Sequence, residues 1–486
     1  MRFPIPCHAK RTMTAAAAVS VLLVLAGCAA LARTPYQQPA VPLPAHFEHS
    51  DIAAGVPRNE AWWRSFDDPQ LNGWIDLALL RNPDLAIAGF RARRASLEAQ
   101  LAGNALRPVW DGALSSSASR ALSGENRRTN ETVNAQIGVR WEIDLFDRLG
   151  AQRDAASFEA RASAQDREAI ALSLVSAVAN LYWQIGFANE RIASAMQSLA
   201  YSHRTRELID AQYRAGSVSR LELREVEQSV AEQQALLSQL VQTSNELRQA
   251  LMVLFDGSLP PGPEPLHLPD AMPAPVGAGL PAELLGRRPD LRAAELRLRA
   301  SLASRDATAA RFYPTFSLTG SLGTSSASLL EVLRNPVATL GSEMALPFLN
   351  LRGMQLSNAV ARTRHEEAIL SFRKSLYAAL AEVERALSAR TQLSLQALAR
   401  RRARDEATES EMLYEVRYRK GQVALRAWLD AQERRRVAEV AHASIRLALL
   451  QNHMTLNQVL GGAVPPMDQI GEMPSDGGLN RVTRSP

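Results

Sequence analysis

The strongest pattern along this chain is a two-residue alternation. From Thr132 to Asp144, apolar Val133, Ala135, Ile137, Val139, Trp141 and Ile143 take one set of positions, and Thr132, Asn134, Gln136, Arg140, Glu142 and Asp144 take the other. Successive side chains of a strand point to opposite faces, so this spacing predicts a strand with one apolar and one polar face. Thr315 to Gly323 repeats the design, with Phe316, Leu318 and Leu322 against Thr315, Ser317, Thr319 and Ser321. Trp110 to Ser119 follows it more loosely, and Ala338 to Leu346 makes a fourth segment. The four strands are expected at about 109–120, 132–144, 314–325 and 338–348.

Between the strands the period becomes helical. Residues 70–107 and 285–312, rich in Ala, Leu, Arg and Glu, predict short lead-in helices that each end just before a proline. Residues 150–214 and 352–420 hold unbroken helical patterns with no proline inside them. At 1.5 Å per residue each such helix extends about 100 Å. Return helices follow at about 218–255 and 422–460. Their lengths predict that the return helix of the first half stacks on the lead-in helix of the second, matching the long helix beside them. Residues 260–281 and the tail after Gly461 would then form a belt.

The chain says these things twice. Asn82-Pro83-Asp84-Leu85 returns as Arg288-Pro289-Asp290-Leu291, and Leu106-Arg107-Pro108 as Phe312-Tyr313-Pro314, at the same interval. Tyr213-Arg214-Ala215-Gly216 returns as Tyr418-Arg419-Lys420-Gly421, one residue short of it. Two structural repeats explain this better than two unrelated domains.

Strands of roughly ten residues with aromatic ends and a polar second face suit a transmembrane barrel. Four strands are too few to close one, and an open edge in lipid leaves backbone groups unsatisfied at several kcal/mol each. Sister subunits must therefore complete the cylinder, and the polar faces must line water.

The N-terminus sets the compartment. Arg2, Lys10 and Arg11 precede an apolar run from Ala15 to Ala26, the order of a secretory signal, and the run is too short to span a bilayer. Leu25-Ala26-Gly27-Cys28 resembles the bacterial lipobox, which predicts Cys28 as an acylated N-terminus; Ala29 after it favours outer-membrane sorting. Removing residues 1–27 takes Cys7 and three positive charges, lowering the formal charge from +5 to +2 and leaving one cysteine. No internal disulfide is then available, and nucleic-acid binding gets no support. The eight histidines form no HExxH or zinc-ligand spacing, and no P-loop or dinucleotide fingerprint occurs, so no catalytic or metal site is expected. His46 and His49, three apart in a Pro-rich tether, are a chance pair. A coiled-coil spacer would explain the long helices but not the alternating strands.

At the far end of each long helix stands a tight reversal, Arg214-Ala215-Gly216-Ser217 and Arg419-Lys420-Gly421-Gln422, where glycine ends the helix. Such turns serve as plain hairpin loops or as tips that dock a partner. Just past the second, Arg426 and Asp430 are spaced to pair at i, i+4, and symmetric copies of Asp430 would ring a constriction.

The lipobox, the doubled helix-hairpin-helix plan and the two Tyr-Arg-x-Gly turns together resemble the TolC-like outer-membrane factor family, in its OprM/NodT-type RND efflux lipoprotein branch. Trp141-Glu142-Ile143-Asp144-Leu145-Phe146 is similar to the family's strand-to-helix signature, and Leu346-Pro347-Phe348-Leu349-Asn350 to its counterpart in the second repeat. The resemblance implies an α+β membrane protein: a trimeric twelve-strand outer-membrane β-barrel, four strands per chain, continuous with a long periplasmic α-helical barrel. It implies an efflux exit channel that works with a periplasmic adaptor and an inner-membrane RND transporter; a type I secretion channel is the alternative within the same fold. It assigns adaptor contacts to Arg214, Gly216, Ser217, Ser219, Leu221, Arg419, Gly421 and Val423, and the periplasmic aperture to Asp430 and Arg426. Leucine is common where Arg426 stands, which raises an Arg–Asp lock as the form of the gate. Arg140, Glu142 and Asp144 would line the barrel lumen. No cofactor is implied beyond diacylglycerol and an N-acyl chain, such as palmitate, on Cys28. The expected organisation is signal peptide 1–27, lipidated extended tether 28–60, repeat one 61–255, equatorial linker 256–284, repeat two 285–462 and tail 463–486.

Overall fold

The computed structural model describes residues 33–49, 61–120, 122–123, 129–269, 272, 276–326, 336–462 and 464; the leader, Cys28 and most of the tail lie outside them. Proline sets the first boundaries. Asp68 is extended, and its carboxylate accepts from the Gln70 and Leu71 amides at 3.0 and 3.1 Å ahead of α1, Pro69–Arg81. Pro83 holds Asn82 extended at ψ 125°, so the lead-in segment expected as one helix is two, α1 and α2, Pro83–Asn104. The second repeat breaks the same way at Arg288, with ψ 122°, after a single turn at Leu284–Arg287.

Strands β1 (Val109–Arg120) and β2 (Thr129–Ile143) follow, then helices α3 (Arg148–Arg214) and α4 (Arg220–Leu254). The second repeat supplies α5 (Pro289–Ala310), β3 (Thr315–Ser326), β4 (Val337–Ala345), α6 (Leu351–Arg419) and α7 (Leu425–Val459). β2 starts before Thr132 because Thr129 to Glu131 still pair with Arg120 to Ala118. β4 ends at Ala345, short of the expected 348, because Pro347 opens a 3-10 turn. With 67 and 69 residues, α3 and α6 are each about 100 Å long.

The chain divides into two compact units. One comprises Met1–Val41, Phe90–Gln165 and Arg292–Ser375 and holds the sheet, antiparallel throughout in the order β1-β2-β3-β4. Each long helix begins here on the same device. The amide of Gly353 donates to Asn350 Oδ1 at 3.0 Å, and a Cβ on Gly353 would meet Asn350 at 2.5 Å. In the first repeat the amide of Gly150 donates to Asp144 at 2.7 Å, and a Cβ on Gly150 would meet Asp147 Oδ1 at 1.8 Å and force that carboxylate aside.

Within the segment expected as an extended tether, residues 33–36 are docked. Arg33 pairs with Asp147, and with Asp154 at 2.9 Å. Thr34 donates its amide and hydroxyl to Asp306 at 2.8 and 2.9 Å, and the Tyr36 ring lies under Arg299 at 4.5 Å. Composition alone read as a spacer because these contacts all lie with residues far off in sequence.

The other unit comprises Pro42–Gly89, Asp166–Leu291 and Leu376–Pro486. Its core gathers Trp63, Trp74, Ile75, Val178, Trp183 and Phe255. Tyr182 donates to Asp68 at 2.8 Å, and Trp74 Nε1 to the Pro261 carbonyl at 3.2 Å. α3 carries a stretch apolar enough to cross a bilayer, yet most of that stretch is buried. Pro265 and His267 of the linker pass α3 where Gly186 leaves room: a Cβ there would come within 3.2 Å of the His267 carbonyl. Arg248 clasps Glu264 with two bonds of 2.7 Å.

One contact pair corrects the expected stacking. Buried Asn82, just ahead of α2, donates to the Leu254 carbonyl at the end of α4 at 3.0 Å. Arg288, just ahead of α5, donates to the Val459 carbonyl at the end of α7 at 3.2 Å. Each return helix therefore meets the lead-in helix of its own repeat, because the residue before each repeated Pro-Asp-Leu turn supplies the donors that orphan C-terminal carbonyls need. Arg288 also reaches Asp290 and Glu382 at 2.7 and 2.8 Å.

His453 sits behind the Phe66 ring, whose centroid is 5.2 Å away. Burial, aided by the Arg390 charge, lowers its pKa from 6.5 to about 4. The unfolded chain thus takes up the proton first as the pH falls. Stability is complete above about pH 6.5 and declines until about pH 4, by on the order of 3 kcal/mol. We predict that His453→Phe flattens this part of the melting-temperature profile between pH 7 and 4; an unchanged slope would assign it to other groups.

Candidate functional site

The register sorts the sheet into two faces. Trp110 pairs with Val139, Val139 with Gly320, and Gly320 with Leu340. The next rows on this side run Gly112–Ile137–Leu322–Ala338 and Trp141–Leu318–Ser342, followed by Ile143–Phe316–Met344. Trp110 is 72% and Leu340 87% exposed, so the apolar face has no cover within this chain. An uncovered apolar face this broad marks a surface meant for a non-aqueous neighbour.

The opposite face is hydroxyl and amide. Its rows include Asp111–Gly138–Ser321–Thr339, Arg140–Thr319–Gly341 and Glu142–Ser317–Glu343, while Asn134 and Gln136 sit further along. Val109, Ala113, Val337 and Ala345 are the apolar exceptions. Charges gather where the strands join the helices: Asp111, Arg140, Glu142 and Glu343 all lie at that end. Glu142 is held by Arg148 at 2.7 and 2.8 Å. The outer edges of β1 and β4 have no strand beside them among the described residues, a row of unpaired backbone groups that seeks a partner.

Arg140 and Glu142 therefore stand on the polar face as expected from the alternation. Asp144 does not. It lies past the end of β2, where its carboxylate accepts the Gly150 amide at 2.7 Å and so serves one of the free amides opening α3. Asp111 and Glu343 belong to the polar face and were missed; their strands alternate weakly, and only the pairing register reveals their side.

The two hairpin tips share one geometry. Gly216 and Gly421 have φ of 75° and 70°, a left-handed conformation that suits glycine. Gly216 donates to the Tyr213 carbonyl at 3.0 Å and Ser217 to Gln212 at 2.9 Å; Gly421 donates to Tyr418 at 2.8 Å and Gln422 to Arg417 at 2.9 Å. Both are Schellman closures. Ser219 then caps α4 in a capping box with Glu222, leaving Leu221 exposed at 65%. The second tip lacks that cap: Ala424 precedes α7, with Val423 half-buried before it. Arg214 pairs with Asp210 and Arg419 with Glu415, each one turn back along its own helix.

Beneath the tips is a small core of Ile209, Val226, Leu425 and Trp428. Tyr418 stacks on Trp428 at 5.1 Å, and Tyr201 meets it edge-on at 6.0 Å. Trp428 Nε1 donates to buried Glu411 at 3.0 Å, and Arg435 approaches the same carboxylate at 3.6 Å. Burial and the Glu415 and Glu411 carboxylates push Tyr201 up to about 12, which keeps its hydroxyl neutral. Tyr418 donates across to Gln212 at 3.2 Å.

The Arg–Asp pair expected one turn past this tip does not form. Arg426, 74% exposed at its side chain, turns to Glu225 on α4 at 3.6 Å. Asp430 is exposed and makes no ion pair among the described residues. An i, i+4 pair contributes only a few tenths of a kcal/mol, so a carboxylate on the facing helix readily takes its place.

Comparison with known proteins agrees with this anatomy. The family model described as outer membrane efflux protein matches residues 74–254 and 280–462, one match per repeat. The pyoverdine export outer membrane protein OpmQ of Pseudomonas putida is 31% identical over 420 residues, spanning 83% of this chain and 88% of its own length. Outer membrane protein OprJ of Pseudomonas aeruginosa is 32% identical over 458 residues, spanning 87% and 91%. Among solved structures, the open state of the Neisseria gonorrhoeae MtrE outer membrane channel superposes with a TM-score of 0.78 at 28% identity, covering 88% of this chain and 98% of that one.

Proposed function

Because the chain belongs to the outer membrane efflux protein family, we propose that three copies close one barrel and form the exit duct of an RND-type tripartite efflux system. The observation that carries this reading is the unfinished sheet, apolar and uncovered on one face, polar on the other, and open at β1 and β4. Three copies supply twelve strands, and joining β4 of one to β1 of the next satisfies both edges. Lipid then meets Trp110, Ile137, Leu322 and Leu340, and water meets the Ser, Thr, Asn and Gln rows. Such a wall conducts passively, because weakly binding hydroxyls let a solute move on.

Within that system the tips at Gly216 and Gly421 serve as the docking points for a periplasmic adaptor, which links the duct to an inner-membrane RND transporter. Exposed Leu221 and the paired arginines Arg214 and Arg419 give the adaptor apolar and charged contacts. Cys28 carries the acyl chains that hold the protein to the outer membrane. The naming of OpmQ for pyoverdine export supports small-molecule cargo over secreted protein.

The test has two arms. Purified protein added to planar bilayers is expected to give discrete conductance steps, and deleting the gene should raise cellular dye accumulation. A single-subunit product that leaves bilayers silent would overturn the channel; steps without any change in dye or drug accumulation would overturn the efflux role. A Cys28→Ser chain tests the anchor separately through loss of acyl mass and weaker membrane retention.

A further inference from the structure

A cavity of about 460 Å³ opens between α3, α4 and α7, within the usual size range of small-molecule sites. Its walls are mainly apolar, formed by Ala195, Leu236, Leu240, Val437 and Val440. Five charged residues also line it, and four of them are already engaged. Glu190 is held by Arg446 at 3.4 Å and by the Leu268 amide at 3.3 Å. Glu433 pairs with Arg436, and Glu439 with Arg435 at 3.6 Å.

Arg191 is different. Among the described residues no carboxylate lies within ion-pair distance of it, and its Nε is buried without a hydrogen-bond partner. Its guanidinium lies 5.6 Å from the Phe187 ring, and burial alone, with no opposing acid, lowers its pKa. A second orphan lines the same cavity from α4: Gln233 is 4% exposed, and its Oε1 has no partner. Buried polar groups left unmet are rare in folded proteins and mark places where a partner is missing. An unpaired guanidinium beside an apolar cleft asks for an anion attached to an apolar body.

We propose that this cleft binds an amphiphilic monoanion, with the acid group on Arg191 and the apolar body between Leu236, Leu240, Val437 and Val440. None of the residues lining it belongs to the sheet or to the hairpin tips. Gln233 adds an acceptor for a ligand N–H or O–H once its amide rotates toward the cleft.

The probe pair is 8-anilinonaphthalene-1-sulfonate and N-phenyl-1-naphthylamine, which share a skeleton and differ by the sulfonate. Fluorescence titration of the full mature protein held in amphipol is expected to show saturable binding of the sulfonate probe, one site per chain. Arg191→Met should weaken the sulfonate probe by about tenfold or more while shifting the neutral probe little, since a charged hydrogen bond is the part removed. Arg191→Lys should restore most of the affinity, and Leu240→Trp should abolish both probes by filling the cleft. If Arg191→Met misfolds, as judged by its melting temperature, Gln233→Leu and Leu240→Trp carry the test. Identical titrations in wild type and Leu240→Trp would mean binding to amphipol or to the apolar sheet face only, and overturn the site. Equal loss of both probes in Arg191→Met would overturn the anion assignment.

Discussion

Trp428→Ala is expected to loosen the second hairpin tip by about 3–5 kcal/mol, the usual consequence of emptying a buried tryptophan site. Trp428 is 3% exposed, stacked on Tyr418, and crossed by Tyr201. It links three helices at once, since those partners lie on α6 and α3. Trp428→Phe separates the two contributions. The ring contacts survive, but buried Glu411 loses its 3.0 Å donor and retains only Arg435 at 3.6 Å, which costs about 1–3 kcal/mol. Limited trypsin digestion reads this directly, because Arg417, Arg419 and Lys420 stand at the end of α6. Cleavage there follows local opening, so 3 kcal/mol corresponds to roughly a hundredfold faster cutting. Equal cutting rates in wild type and Trp428→Ala would show that the aromatic cluster does not hold the tip.

Leu322→Arg and Ser321→Arg are neighbours on β3 and are expected to behave as opposites. Leu322 lies on the uncovered apolar face and Ser321 on the hydroxyl face. An arginine placed toward lipid near the middle of a strand costs about 2–4 kcal/mol, and assembly multiplies this by the number of chains. Leu322→Arg should therefore vanish from the heat-sensitive oligomer band of outer-membrane fractions. Ser321→Arg should assemble normally and lower single-channel conductance with a shift toward anions. The reverse outcome would turn the barrel inside out.

Much of this was legible in the residues. The alternation from Val133 to Ile143 fixed both the strand and its lipid side, because a period of two allows no other placement of Trp141 and Arg140. The unbroken, proline-free stretches gave α3 and α6 nearly to the residue. Asp144 was misread because alternation runs on past the last ladder pair, and only the Gly150 amide shows that the strand has ended. Within the chain Arg426 pairs with Glu225 and not with Asp430, because spacing along one helix carries no information about a carboxylate on another. Tethers are read from composition, and the contacts of Arg33, Thr34 and Tyr36 with distant charged residues leave no trace in local sequence. The cluster around Trp428 joins α3, α6 and α7, and such three-way packing is likewise invisible to periodicity.

The pinning of each return helix to its own repeat, through Asn82 and Leu254 in one and Arg288 and Val459 in the other, has an ancestral consequence. Neither half borrows a helix end from its twin. A gene of half the length would already encode a hairpin of strands with its own closed run of helices, while the β2–β3 ladder and the tip core would come from a second copy. Joining two such halves asks only for a connecting segment, and the two tips have their own finish: one carries the Ser219 cap, the other Trp428 on the buried acid Glu411.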